Sequence, residues 1–193
     1  MRKLMIIGAC LSVGLMVGAC SSYHTGKQKP VLHAKAAIAG PGITGEAYLY
    51  EEYAGRIRIK LKLQGTPDSK LTPGLHAIHV HETGNCDPFT AAKGHYDGNI
   101  DPNVNPDANV SPGLANHPYH LGDLPNLYVD DSRNGSLYTI TSRVTLSDGL
   151  TTLFDKDGSA FIIHGLEDKY LPDPPTKDAP GGPRIACGVI VKE

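Results

Sequence analysis

Residues 56–63 read "RIRIKLKL", a charged residue and an aliphatic one alternating without a fault. Side chains of an extended chain point to opposite faces in turn. Ile57, Ile59, Leu61 and Leu63 therefore share one face, and Arg56, Arg58, Lys60 and Lys62 share the other. The pattern predicts a half-buried antiparallel strand with one wet face. Just before it, "TGEAYLYEEYAG" at 44–55 has Tyr-rich alternation and a glycine at the turn, the signature of a hairpin partner. Downstream come "NLYVDD", "GSLYTITSRV", "SAFIIHG" and "IACGVIVKE", set off by "RNG", "SDG" and "KDG" turns. No stretch carries an amphipathic helix with caps. The 22 glycines, 15 prolines and absence of Trp fit a turn-rich, all-β chain, drawn as a β-barrel or sandwich.

Two segments break the strand pattern. Residues 84–119 are rich in Pro, Asn, Asp and Gly, and residues 165–183 read "GLEDKYLPDPPTKDAPGGP". Loops of such length in a compact domain are functional or disordered. Histidines and cysteines bracket both, which predicts ordered functional loops.

The N-terminus differs from the rest. "MRKLMIIGACLSVGLMVGAC" has a basic start at Arg2 and Lys3, an apolar run too short to span a bilayer, and small residues before Cys20. It reads as a secretory signal over 1–19. "VGAC" at 17–20 resembles a bacterial lipobox, which implies lipid attachment at Cys20 and an outer-membrane anchor facing the periplasm. Residues 20–32 then read as a lipidated flexible tether, polar and without apolar period, and 33–193 as one domain. Losing Arg2 and Lys3 takes the basic count from 18 to 16 against 20 acidic residues, a charge of about −4. With no run of Lys and Arg, nothing points to nucleic acid. Membrane contact is expected through the lipid only.

Beyond the leader and Cys20, only Cys86 and Cys187 remain. In an exported chain an even pair reads first as a disulfide, with two free thiols or a thiolate metal site as the competing readings. A bond between them closes a loop worth about 4–5 kcal/mol as an upper figure.

The chemistry gathers in "GLHAIHVHETGNC", residues 74–86. By strand parity His79 and His81 share a face and can converge on one metal ion. His76, an odd number of residues from each, points away and reads as a scaffold residue. His95 in the first long loop, His117, His120 and Asp123 in "HPYHLGD", and His164 at the end of "FIIH" complete the candidate set. Imidazole-rich sites suit copper and zinc, and an added carboxylate tilts a site towards zinc.

"HAIHVHE", "KGHYD" at 93–97, "HLGDLPNL" at 120–127, "IIH" at 162–164 and "PRIACGVI" at 183–190 resemble motifs of the copper/zinc superoxide dismutases, especially their bacterial envelope members. The resemblance covers residues 33–193. It implies a Greek-key, eight-stranded barrel and conversion of two superoxide anions to oxygen and hydrogen peroxide. It also implies copper on His79, His81, His95 and His164, and zinc on His95, His120 and Asp123. His95 would bridge the two ions. Arg184 would guide the anion, Asp168 would link a copper histidine to a zinc histidine, and Cys86–Cys187 would be the intrasubunit disulfide. A homodimer stays open. The family's remaining zinc histidine has no counterpart within 97–116; His117, displaced to three residues before His120, is the candidate for it. The alternatives are a copper-only enzyme with a degenerate zinc site, or a non-catalytic copper-binding envelope lipoprotein.

Overall fold

A computed structural model describes residues 31–53, 55–98, 117–171 and 176–193; the leader, Cys20 and most of the tether lie outside the described residues. The regular structure of the described residues is almost wholly β. β1 (Leu32–Gly40), β2 (Ile43–Tyr53) and β3 (Arg56–Gly65) form a meander, with β1 beginning one residue ahead of the expected domain boundary. β4 (Gly74–His76), β5 (Ile78–His81), β6 (Leu127–Val129), β7 (Asn134–Thr141), β8 (Ala160–His164), β9 (Arg184–Val189) and β10 (Val191–Lys192) follow. One turn of 3-10 helix, Phe89–Ala92, sits in the first long loop. Among the described residues no helix is long and apolar enough to cross a membrane.

The deciding stretch behaves as its alternation requires. In β3, Ile57, Ile59, Leu61 and Leu63 are at most 4% exposed, while Arg56, Lys60 and Lys62 face solvent. Burying each such side chain contributes roughly 1.5–3 kcal/mol. β2 pairs with β3 from Ile43↔Gly65 to Tyr53↔Arg56, with an irregularity between Glu51 and Tyr53. Glu51 turns its carboxylate inward there. It accepts the backbone N–H of Leu146 at 2.6 Å and of Ser147 at 2.7 Å, and so pins the 143–153 loop to the sheet. Burial works to raise this carboxyl, but the hydrogen bonds from Gly55, Ser147 and Leu146 outweigh it and hold it below the usual range.

Neighbouring strands run in the order β4-β6-β7-β3-β2-β1-β9-β8-β5, with β10 alongside β1. The two ends of that path, β4 and β5, are halves of one stretch of chain. The backbone leaves one edge at His76, crosses at Ala77 and enters the opposite edge at Ile78. This crossing all but closes the sheet into an antiparallel barrel. It also explains ten strands among the described residues where eight are expected, since β4 with β5, and β9 with β10, each read as one interrupted strand. The crossing is held by Ala77 N–H to Leu166 O at 2.8 Å and by His164 N–H to Ala77 O at 2.9 Å. Leu49, Ile59, Val80, Phe161 and Tyr96 fill the interior. His76 bonds only backbone carbonyls through close contacts, Nδ1 to His164 O at 2.7 Å and Nε2 to Thr72 O at 2.8 Å, so it serves the crossing rather than a metal.

Candidate metal centre

β5 and β8 lie side by side, with His79 opposite Ile162 and His81 opposite Ala160. That register places His79, His81 and, at the end of β8, His164 at one side of the barrel. Isolated bridges add the loops: His81 pairs with His95, and His79 with Asp123. Ligand atoms of His79, His81, His95 and His164 all lie within 4.8 Å of one another, as do those of His79, His95, His117 and Asp123. His79 and His95 belong to both quartets, their rings stacked at 4.0 Å between centroids.

In the first quartet, one ring nitrogen of each strand-borne histidine is fixed by an acceptor. His81 Nδ1 donates to Lys93 O at 2.9 Å, His164 Nδ1 to Gly182 O at 3.0 Å, and His79 Nε2 to Asp168 Oδ2 at 3.0 Å. Each ring therefore keeps its proton on that side. The opposite nitrogens, His79 Nδ1, His81 Nε2 and His164 Nε2, are buried without a hydrogen-bond partner. Buried polar atoms are rarely left so, and such an atom calls for an ion or another explanation. Neutral imidazoles with one nitrogen anchored and the other bare are the form in which histidine binds a metal. Burial first, then repulsion from neighbouring histidines and Arg184, holds His81 and His164 well below the usual histidine range.

The second quartet is arranged differently. Asp123 accepts His95 Nδ1 at 2.6 Å on Oδ1, and on Oδ2 the backbone N–H of His120 at 2.9 Å and His120 Nδ1 at 3.1 Å. His117 is only 3% exposed. Its Nε2 lies 2.8 Å from Asp168 Oδ1 and its Nδ1 3.3 Å from Asp123 Oδ2. Asp168 thus spans His79 and His117, one from each strand-and-loop set. Burial would lower His117, but Asp123 and Asp168 outweigh it and push it up to about 9. The same histidines hold both carboxyls far below their ordinary range against burial. His95 is pulled down to about 3, by burial and then by His79. The quartet is completed by His79 rather than by the expected His120, which instead meets Asp123 through its backbone N–H and its Nδ1; imidazoles and a carboxylate about one centre suit zinc.

Arg184 opens β9. Its guanidinium donates to Phe89 O at 2.7 Å and to Lys93 O, and its charge disfavours protonation of His81 and His164. Cys86 and Cys187 are joined in a disulfide, which ties the first long loop to β9 three residues beyond Arg184. The sequence pattern did not single out three supporting groups: the carbonyls of Lys93 and Gly182, and Asn126. Asn126 accepts Asp168 N–H at 2.8 Å and donates to Asp168 O at 2.9 Å, setting that carboxylate's place. All three act through backbone contacts that residue type does not announce.

A family model described as copper/zinc superoxide dismutase matches residues 43–190. Among curated relatives, Superoxide dismutase (Cu-Zn) 2 of Aquifex aeolicus is 36% identical over 82% of this chain and 85% of the relative. Superoxide dismutase (Cu-Zn) of Caulobacter vibrioides is 33% identical over 79% of this chain and 81% of the relative. A solved structure of the clock protein EA4 superposes with a TM-score of 0.62 at 23% identity, covering 82% of this chain and 92% of that one, a likeness of fold.

Proposed function

The chain belongs to the copper/zinc superoxide dismutase family, an oxidoreductase acting on superoxide, and from that premise we propose which of its residues do the work and where. Copper would be held by His79, His81, His95 and His164, and zinc by His95, His117, His120 and Asp123. The observation that carries this reading is the set of bare, buried nitrogens on His79, His81 and His164, converging beside His95. Copper so bound would supply the one-electron change that turns two superoxide anions and two protons into oxygen and hydrogen peroxide.

The protein's own groups do the rest. Lys93 O, Gly182 O and Asp168 fix the tautomers of His81, His164 and His79, so their ligating lone pairs need no reorganisation. His95, common to both quartets, would be the ring that takes up and releases a proton. Arg184 supplies positive charge at the mouth and draws in a small anion, an effect that salt weakens. Asp168 couples the two sets of ligands through His79 and His117. His117, gathered with His79, His95 and Asp123, supports a complete two-metal site over a copper-only enzyme.

We further propose attachment by lipid at Cys20 to the bacterial envelope, facing the periplasm, supported by the lipobox-like "VGAC". Membrane contact runs through that lipid alone, with no nucleic-acid partner. Association as a homodimer belongs to the same reading. Exposed Leu75, Tyr128, Tyr138 and Ile140 on β4, β6 and β7 are apolar side chains that a second copy would cover. The test is superoxide decay with protein loaded with copper and zinc. Removal far faster than by the same copper free in buffer is expected; equal rates would overturn the reading.

A further inference from the structure

The stretch from His117 to Asp123 carries three of the proposed zinc ligands but belongs to no strand. His117 and His120 are both buried, with exposed Tyr119 between them. From inside, one carboxylate oxygen draws the two rings together. Asp123 Oδ2 lies 3.3 Å from His117 Nδ1 and 3.1 Å from His120 Nδ1. In an extended chain, residues three apart stand about 10 Å apart and on opposite faces. The convergence of both rings on one oxygen therefore requires the backbone between them to turn.

Arg143 holds that turn from outside. Its Nη1 donates to His120 O at 2.8 Å and reaches Pro118 O at 3.5 Å, the limit of a hydrogen bond. Bonds from a charged donor are about twice as strong as neutral ones. The guanidinium also starts from a fixed base. Arg143 follows β7 by two residues and donates its backbone N–H to Thr141 Oγ1 at 3.2 Å. It opens the 143–153 loop that Glu51 pins through the backbone N–H groups of Leu146 and Ser147. The other end of that loop meets the second ligand-bearing segment. Tyr96, fully buried and next to His95, donates its hydroxyl to Thr152 O at 2.5 Å.

We infer that Arg143 is a positioning residue of the zinc half of the site. Its guanidinium pinches the Pro118–His120 turn from outside while Asp123 pinches it from inside, so both histidines face the carboxylate before an ion arrives. A zinc histidine displaced to three residues before His120 needs a chain that turns back within that span, and Arg143 supplies the hold. The inference rests on His117, His120 and Asp123 serving zinc. It adds a residue outside the ligand set and outside every motif that carries the family resemblance.

The experiment compares the parent, Arg143→Ala and Arg143→Lys as full chains. The readouts are zinc affinity by chelator competition, the visible spectrum of cobalt(II) placed in the zinc position, copper affinity, and amide exchange of the metal-free proteins. Arg143→Ala should bind zinc about 10- to 100-fold more weakly and keep its copper affinity within about 2-fold. Its cobalt band should shift, because the ligands are no longer held in the parent's arrangement. Its His120 and Asp123 amides should exchange about 10-fold faster, with β3 amides at the parent's rates. Arg143→Lys, which keeps the charge and one donor group, should fall between parent and Arg143→Ala in zinc affinity and cobalt spectrum. Unchanged zinc affinity and cobalt spectrum in Arg143→Ala would overturn the proposal. So would zinc binding, copper binding and β3 protection all weakening together, which would make the arginine a fold residue. If the parent itself binds no zinc, it is the zinc reading that fails, and amide exchange then judges the clamp alone: faster exchange confined to His120 and Asp123 upholds it, and unchanged rates there overturn it.

Discussion

The two quartets share His79 and His95 yet are anchored mainly by different groups. The strand-borne set of His79, His81 and His164 leaves one buried nitrogen bare on each ring. The loop-borne set of His95, His117 and His120 gives one nitrogen of each ring to a carboxylate, Asp123 for His95 and His120 and Asp168 for His117. β8, paired with β5 on one side and β9 on the other, cannot shift to satisfy a bare nitrogen, so the sheet presents a pocket that is complete but electrostatically unfinished. Loops can move, and here carboxylates neutralise and hold them. The difference teaches that rigid elements can preorganise a site at the cost of unmet polar groups, while loops need internal counter-charges to be ordered at all.

Removing a strand-borne ligand should have the largest effect. His164→Ala is expected to cut copper retention and superoxide removal by at least about 100-fold, measured by metal analysis and decay rate. A small loss would mean that the bare nitrogens are not the copper-binding set. His117→Ala sharpens the other side of the comparison. Parent protein exposed to both ions should carry one zinc per chain. The variant should bind zinc about 10- to 100-fold more weakly while keeping its copper. Zinc retained at full affinity would place that ligand elsewhere, and copper alone in both proteins would mean a copper-only enzyme.

The smallest effect concerns a loop held from a strand. Glu51→Gln should cost about 1–3 kcal/mol near neutral pH, read from denaturant unfolding. The folded carboxyl titrates below its unfolded value. Its stabilisation is therefore fully present above the ordinary carboxylate range and lost as pH falls through the lower folded value. The parent should lose more stability than the variant across that acid window. Parallel acid limbs would show that Glu51 does not pin the 143–153 loop.

Much of this was legible in residue order. Alternation in "RIRIKLKL" and "YLYEEY" carries β2 and β3, because a period of two states which face is buried. Parity within 76–81 separates His76 from His79 and His81. β1 was not legible: "LHAKAAIAG" alternates buried and exposed positions, but with alanines, whose weak preference for strands hides the pattern. The part of His117 was not legible either, since spacing along 97–116 does not say whether the chain folds back. Lys93 was legible only as a member of a motif. Its carbonyl is a backbone fact, silent in a sequence.

The barrel's seam at Ala77 gives these observations a mechanical consequence. His164 donates its backbone N–H to Ala77 and accepts His76 on its carbonyl, so the stitch that closes the cylinder is made by the same residue that offers a bare nitrogen. The cylinder cannot breathe at that edge without carrying the ligand with it. Amide exchange at His164 and Ala77 should therefore slow together when metal is added, and each ion that arrives acts as a bolt on the door through which the chain would unfold.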